Sequence, residues 1–351
     1  MIKKPRALHM NSVNAKSRLS IILPCFNEEA VLPLTNRGIF ETLGKQSDIE
    51  LEVVYVNDGS SDATEAILAG YADRDSRIKV VSLTRNFGHQ AAISAGLTYA
   101  SGDAVVIADA DLQDPPRAVS AMLEKWHEGF DVVYGIRRKR KEIFWKRAAY
   151  AIFYRLYRAS TEINAPLDSG DFALLDRKVV DAINALPEKN RFVRGLRSWV
   201  GFRQVGIEYE RAKRATGDTK YSLSKLVKLA GDGIFNFSTV PLTWIFSLGV
   251  VCSMLSFFGL GFFVIWRLID FKILGRSPED VPGFTSIILV ILFFSGIQLV
   301  SVGILGKYLG RVYEEVKNRP TFMVSRVFQS DRALLSRTEP QPGTQPSRAR
   351  L

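Results

Sequence analysis

The chain has 351 residues, enough for two domains, and 47% of them are hydrophobic. Its two cysteines lie far apart, which excludes a disulfide-stapled secreted domain and indicates a reducing compartment, and its three histidines make a histidine-built metal site improbable. The formal net charge of +11 favours an anionic partner, such as a membrane surface, an anionic substrate or nucleic acid.

The first 134 residues predict a basic arm followed by alternating strands and helices. Residues 1–18 are basic and polar and lack the apolar core of a signal peptide, so we expect a flexible cytoplasmic arm. Strands are predicted at 19–23, 51–56, 80–83, 104–108 and 131–134, and helices at 30–43, 91–100, 119–128 and after a cap at Ser61 or Asp62. This alternation predicts an α/β domain with a parallel sheet and helices on both faces.

The fourth strand ends in an acidic loop. Its sequence, VVIADADLQDPP, contains Asp109, Asp111, Gln113 and Asp114 and closes with two prolines. Ligands of α/β sheets bind at the carboxyl ends of strands, and two aspartates at i and i+2 can share a hard divalent cation. An ordinary acidic turn is the alternative, but a turn needs one such acid and not three plus an amide. The loop therefore predicts a metal site.

Polar residues also follow the other strands. The first strand ends in PCFNEE and the second in NDGSSD. Asp58 can accept hydrogen bonds from a nucleobase or ribose, and Gly59 lets the backbone approach a flat ligand. Taken alone, Asp58 is better explained as part of an Asp-Gly turn, and Pro24, Asn27 and Glu28 are explained as a strand exit and helix start. Their convergence at one edge of the sheet predicts a nucleotide site, whereas His89 is interpreted as a helix-entry residue.

Charged residues downstream of the acidic loop suggest sites for phosphate. Asp171 lies beside a glycine at the start of an apolar run, as a candidate active-site carboxylate or as a turn residue. Arg191 and Arg194 are expected on the same side of a helical turn, and Arg214 and Lys220 on a flexible loop. Such cations suit a phosphate-bearing donor and acceptor, although the second pair would be unremarkable in a surface loop.

Membrane association is predicted from three segments. Residues 137–147 are basic and lead into aromatic residues, which indicates a helix in the membrane interface or, alternatively, a solvated basic helix packed on the domain. Residues 233–266 and 281–306 contain no charged side chain, and each is long enough to cross a bilayer. Basic residues after the second stretch place the α/β domain and both termini in the cytoplasm. The end of the chain, from about 330, is expected to be disordered.

Taken in order, the motifs SIILPCFNEE, VNDGSSDAT, NFGHQAAISAGL and ADADLQDPP resemble those of family-two glycosyltransferases with a GT-A fold, a Rossmann-like α/β domain. SGDFAL, RFVRGL, GDTKYSLSKL and LGKYLGRVYEEVKNRP extend the resemblance to about residue 320, toward the polyprenyl-phosphate glycosyltransferases. These include bactoprenol glucosyl transferase, undecaprenyl-phosphate aminoarabinose transferase and dolichol-phosphate mannose synthase. The expected organisation is an arm (1–18), a GT-A domain (19–232), a two-helix membrane anchor (233–310) and a basic, partly disordered tail (311–351).

The resemblance implies a role for each candidate residue. The positions that bind the nucleotide and the sugar donor are matched by Pro24, Asn27, Glu28, Asp58, Asp109, Arg191 and Arg194. The DxD aspartates, Asp109 and Asp111, together with Gln113, match the metal-binding positions, with Asp109 toward the ribose or donor. Asp171 matches the carboxylate usually proposed as catalytic, and Asp109 and Asp111 are expected to be catalytic residues with it. Lipid phosphate is assigned to Arg137, Arg214 and Lys220.

The implied reaction is inverting transfer of one hexose from a nucleotide sugar, UDP-glucose or similar, to undecaprenyl phosphate, with Mg²⁺ or Mn²⁺. It would take place at the cytoplasmic face of a bacterial inner membrane and serve cell-envelope glycan modification.

The Gln-x-x-Arg-Trp motif of processive synthases does not occur in the chain. The alternatives are another donor, such as UDP-aminoarabinose or GDP-mannose, and an inactive membrane-anchored scaffold. Nucleic acid is not expected, while glycines at 303, 306 and 310 leave a homo-oligomer open.

Overall fold

In the described part of the chain, an eight-stranded sheet forms the centre of the fold, and two long apolar helices precede its last strand in the sequence. The computed structural model describes residues 16–111, 113–137, 169–210, 240–269 and 283–330. The strands are β1 (Ser17–Cys25), β2 (Ile49–Asn57), β3 (Ile78–Leu83), β4 (Ala104–Ile107), β5 (Val132–Arg137), β6 (Ser169–Asp176), β7 (Gln204–Tyr209) and β8 (Val324–Gln329). The helices are α1 (Leu32–Thr42), α2 (Thr64–Arg74), α3 (His89–Tyr99), α4 (Pro116–His127), α5 (Arg177–Ala185), α6 (Val193–Trp199), α7 (Val240–Ile269) and α8 (Phe284–Val316).

The sheet is mixed, with strand order β7-β5-β6-β4-β1-β2-β3-β8. Strands β4, β1, β2 and β3 are parallel, as the alternation of strands and helices predicted. The sheet as a whole is mixed because of two strands outside that alternating region: β6 runs antiparallel to both β4 and β5, and β8 runs antiparallel to β3. Strand β7 extends the sheet in parallel with β5.

Successive side chains of the central strands enter two different cores. Ile21 and Val53 belong to the core under α1, α2 and α4, whereas Ile22 and Val54 belong to the core that includes α3, α5 and α6. This alternation follows from strand geometry, in which neighbouring side chains point to opposite faces. Because both faces are covered by helices, these strands appear in the sequence as continuous apolar runs.

Strand β8 is a feature that the sequence did not predict. It follows α8 and pairs with β3, with Phe328 opposite Val80. Ser325 Oγ donates to the carbonyl oxygen of Ser82 at 2.9 Å, and Phe328 and Val324 pack against the two cores. The tail therefore returns to the edge of the sheet after α8, instead of leaving the domain directly.

Helices α7 and α8, of 30 and 33 residues, are long and apolar enough to cross a membrane. They contain most of the two uncharged stretches in the sequence, and α8 continues beyond its stretch into charged residues. Phe257 and Leu299 are 74% and 73% exposed on these helices. Large apolar side chains exposed in such numbers mark a surface that contacts lipid or another protein.

Candidate active site

Several chain segments meet at one edge of the sheet. Because β1, β2 and β4 are parallel, their carboxyl ends lie together. Strand β6 runs the opposite way, so its amino end reaches the same edge, with Ala173 paired to Ile107. Two residues further out along these strands lie Asp171 and Asp109. The antiparallel pairing thus brings together two aspartates that are distant in the sequence.

The acidic loop after β4 holds its aspartates in different surroundings. Asp109 is partly exposed, whereas Asp111 and Asp114 are buried, with 7% and 5% exposure. Asp111 Oδ1 accepts a hydrogen bond from the Gln113 backbone N–H at 3.1 Å. Asp114 Oδ1 accepts one from the Tyr209 hydroxyl at 2.6 Å, which ties the loop to β7. Asp114 therefore has a structural role in this loop.

Asp171 lies in a group of charged and polar side chains at the edge. Its Oδ1 is 3.4 Å from Arg194 Nε, and its Oδ2 is 3.6 Å from His89 Nε2. The same His89 nitrogen is 3.9 Å from Asp109 Oδ1, so the imidazole lies between the two carboxylates. Burial alone would raise the pKa of Asp171, but Arg194 and His89 hold it well below its ordinary value. Asp171 is therefore an anion at neutral pH.

Whether a divalent cation fits this loop follows from the charged groups around Asp109. The pKa of Asp109 is raised to about 6: burial is the largest cause, His89 opposes it, and the nearby carboxylates of Asp114, Asp111 and Asp171 add to the rise. Among the described residues, no three His, Cys, Asp or Glu side chains converge as a preformed metal site. Magnesium, however, is usually held by one or two carboxylates and substrate phosphates. The crowded oxygen donors of the loop fit such a cation.

The loops after β1 and β2 are bound to each other. Asn27, at a positive φ of 54°, accepts the Ser61 N–H through Oδ1 at 2.9 Å and donates its own N–H to Ser60 Oγ at 3.0 Å. The Glu28 N–H donates to Thr64 Oγ1 at 3.0 Å. These contacts give Asn27 and Glu28 a role in joining the two loops where a nucleotide is expected. Pro24 lies within β1, next to its end.

Asp58 holds the loop after β3. It is 3% exposed, and its two oxygens accept the N–H groups of Phe87 and Gly88 at 2.7 and 3.0 Å. Burial raises its pKa, and these two hydrogen bonds partly oppose the effect. Gly59 has a φ of +65°, and a Cβ there would lie 2.6 Å from the Asn86 nitrogen. The Asp-Gly pair therefore packs this loop against the end of β2.

The two arginines near α6 contact different parts of the domain. Arg194, within α6, contacts Asp171, whereas Arg191 precedes the helix and donates to the carbonyl oxygens of Ile183 and Leu186. The prediction that they share one side of a helical turn is wrong, because the helix begins only at Val193. Arg194 is the arginine that reaches the active-site edge.

Sequence reasoning missed two residues that touch this group. Gln90 Nε2 donates to Asp171 Oδ2 at 3.4 Å, and its Oε1 accepts the Val193 N–H at 2.8 Å. Arg197 is buried, donates to the Gly170 carbonyl at 3.4 Å, and has a pKa lowered by burial to about 10, so it stays charged at neutral pH. Gln90 and His89 lie in the quoted motif NFGHQ, but only the tertiary contact with β6 shows their role.

Of the three cations assigned to lipid phosphate, one lies within the described residues. Arg137 is the last residue of β5. Arg214 and Lys220 lie outside the described residues, as does nearly all of the basic segment 137–147.

Comparison with known proteins gives the family. The model of glycosyl transferase family 2 matches residues 20–183. The chain is 44% identical over 321 residues to the uncharacterized glycosyltransferase YkcC of Bacillus subtilis, covering 91% of this chain and 97% of that protein. It is 40% identical over 311 residues to the bactoprenol glucosyl transferase of Shigella phage SfII, covering 88% of this chain and 98% of the phage protein.

A crystal structure of glucosyl-3-phosphoglycerate synthase from Mycobacterium tuberculosis, in complex with Mn²⁺, UDP and phosphoglyceric acid, is more distantly similar. It is 20% identical, with a TM-score of 0.42, and the match covers 62% of this chain and 76% of that one. The family model and the nearly full-length relatives suffice: the chain belongs to glycosyl transferase family 2 and is a glycosyltransferase with a GT-A catalytic domain.

Proposed function

We propose that this protein transfers one hexose from a nucleotide sugar, UDP-glucose or similar, to undecaprenyl phosphate. The observation that carries the proposal is the meeting of Asp109, His89, Asp171 and Arg194 at one edge of the sheet. The bactoprenol glucosyl transferases, which match over nearly their whole length, point to a polyprenyl phosphate as the acceptor.

The donor is proposed to lie across the carboxyl ends of β1, β2 and β4. Pro24, Asn27, Glu28 and Asp58 would border the nucleoside, and Asp109, Asp111 and Gln113 would hold the Mg²⁺ or Mn²⁺. When bound, this cation would stabilise the negative charge on the leaving diphosphate. Arg194 supplies a further positive charge beside Asp171. Arg191 would affect the donor through the position of α6, since its guanidinium is bound to the carbonyls of Ile183 in α5 and Leu186 just after it.

The acceptor needs little proton transfer. A phosphate monoester has its second pKa near about 6, so it is mostly a dianion at neutral pH. Its oxygen would attack the anomeric carbon while the bond from that carbon to the diphosphate breaks, and the nucleoside diphosphate leaves with the bonding electrons. One such displacement inverts the anomeric carbon. Asp171, whose pKa is held low by Arg194 and His89, is a weak base and is better suited to orienting the acceptor.

The membrane helices bring the acceptor within reach. Undecaprenyl phosphate is a membrane lipid, and α7 and α8 are apolar enough to hold the protein at the bilayer. The basic residues that follow the second apolar stretch favour the cytoplasmic face for the GT-A domain. Arg137, Arg214 and Lys220 are the cations proposed to attract the lipid phosphate.

The test uses the full-length protein in detergent with undecaprenyl phosphate, Mg²⁺ and separate UDP-glucose, UDP-aminoarabinose and GDP-mannose. We expect one lipid-phosphate-hexose by mass spectrometry, lost with Asp111→Asn. Asp103→Asn is the matched control, because Asp103 is an exposed aspartate just before the opposite end of β4. Activity with a different donor would change the identity of the transferred sugar and leave the proposed transfer standing. No lipid-linked sugar from any donor would overturn the proposed transfer.

A further inference from the structure

The end of α8 contacts the GT-A domain close to the active site. The Glu315 carboxylate accepts the backbone N–H of Lys189 at 2.9 Å through Oε1 and at 3.2 Å through Oε2. Its Oε1 also accepts the N–H of Asn190 at 3.4 Å. A side chain at the end of a long apolar helix therefore holds two backbone groups of the loop between α5 and α6.

This loop leads directly into the active-site helix. At its far end, the Val193 N–H donates to Gln90 Oε1 at 2.8 Å, and the next residue, Arg194, contacts Asp171. Gln90 itself donates to Asp171 at 3.4 Å. The loop, residues 186–192, is thus held by Glu315 near its middle and by Gln90 where it enters α6. Both contacts set the position from which Arg194 reaches Asp171.

The length of α8 places Glu315 outside the apolar part of the membrane. With 33 residues the helix is ~50 Å long at about 1.5 Å per residue, whereas the hydrocarbon core is about 30 Å thick. The uncharged stretch ends before Lys307, so the last turns, with Arg311, Glu314 and Glu315, project beyond it. Glu315 therefore contacts the GT-A domain from the end of α8 that projects toward it.

A second attachment keeps the domain in place without Glu315. After α8, the Met323 carbonyl accepts the Thr84 N–H at 2.9 Å, and β8 then pairs along β3. Loss of the Glu315 carboxylate should consequently leave the sheet folded and attached, and change only the loop that leads into α6.

We propose that Glu315 is a positioning residue for the glycosyl transfer, acting through the loop 189–193 on the pair formed by Arg194 and Asp171. This inference rests on the proposed function for its kinetic test. It assigns to the end of α8 a role in the reaction in addition to anchoring the protein.

The test compares Glu315→Ala with Glu314→Ala in the full-length protein. Glu314 is the matched control, because it is the neighbouring acid and pairs at 3.0 Å with Lys317, the residue that directly follows α8. We expect kcat to fall about tenfold in E315A, the scale of a small displacement of a reacting group, with the unfolding midpoint unchanged. E314A should behave as wild type. E315Q keeps an oxygen that accepts the same N–H groups and should retain most of the activity.

Two further measurements separate positioning from general loosening. If Glu315 acts through Arg194, the effects of E315A and Arg194→Lys are less than additive in a double-mutant cycle. Hydrogen exchange of the peptide 187–199 should be faster in E315A than in E314A, and this readout needs no turnover. Equal kinetics and exchange in E315A and E314A, or additive effects with Arg194, would overturn the inference. Turnover by the wild-type protein tests the proposed function separately.

Discussion

Asp58→Ala is expected to destabilise the GT-A domain by loosening the loop after β3. The substitution removes the acceptors of the Phe87 and Gly88 N–H groups, which lie 2.7 and 3.0 Å from a carboxylate that is 3% exposed. Each unsatisfied buried group costs about 1–3 kcal/mol. Water entering the vacated space recovers part of this, so the net loss should be about 2 kcal/mol. For a domain of this size, the unfolding midpoint should fall by about 4–8 °C.

Tryptophan fluorescence during heating of the detergent-solubilised protein measures this midpoint. Asp73→Ala is the control, since Asp73 is an exposed aspartate on α2. Because Gly88 directly precedes α3, the loosened loop should also displace His89 and lower the transfer rate. An unfolding midpoint of Asp58→Ala equal to that of Asp73→Ala would refute the reasoning from these two hydrogen bonds.

Three further substitutions test other contacts. Burial alone would raise the pKa of Glu52, but Lys79 and the hydroxyl groups around it hold the pKa below its ordinary 4.5. Its stabilisation is therefore full above pH 4.5 and lost as pH falls through the lower folded-state value, so thermal unfolding across acidic pH should show a smaller decline for Glu52→Gln than for wild type. Gly59→Ala should lower the unfolding midpoint, because its φ of +65° alone costs an alanine about 1–2 kcal/mol. Asp171→Asn keeps the side-chain shape but removes the charge beside Arg194, so the transfer rate should fall at least about 100-fold while calorimetry shows nearly unchanged donor binding. A variant that gives the wild-type value in its assay would refute the role argued for that residue.

The central strands could be predicted from the sequence because they are buried on both faces. Strands β1 to β4 appear as apolar runs close to where the structure places them. The observed limits of β1, β2 and β3 extend further than predicted, because polar residues such as Arg18 and Glu50 continue the strand backbone at the rim, whereas β4 ends one residue earlier. The directions of β6 and β8 depend on how the chain returns to the sheet, which no local pattern records.

The candidate site was predictable where residues follow a strand directly. Asp109 and Asp111 follow β4, and the parallel arrangement of the strands fixes the edge that they reach. His89 and Gln90 were not assigned to the site, because their contacts with Asp171 depend on the antiparallel pairing of β6. The cap predicted at Ser61 or Asp62 also differs in detail. Asp62 accepts the Thr64 N–H, but α2 begins after Ala63 without a side-chain cap.

The most direct test of the proposed reaction is the identity of the nucleotide released during turnover. Transfer of a hexose to a lipid phosphate leaves the diphosphate on the nucleotide, so each lipid product should be matched by one nucleoside diphosphate. Chromatography of the reaction with the active donor, alongside mass spectrometry of the lipid, measures both. Equal amounts of nucleoside diphosphate and lipid-phosphate-hexose are predicted. Release of a nucleoside monophosphate, with a diphosphate-linked sugar on the lipid, would contradict the account.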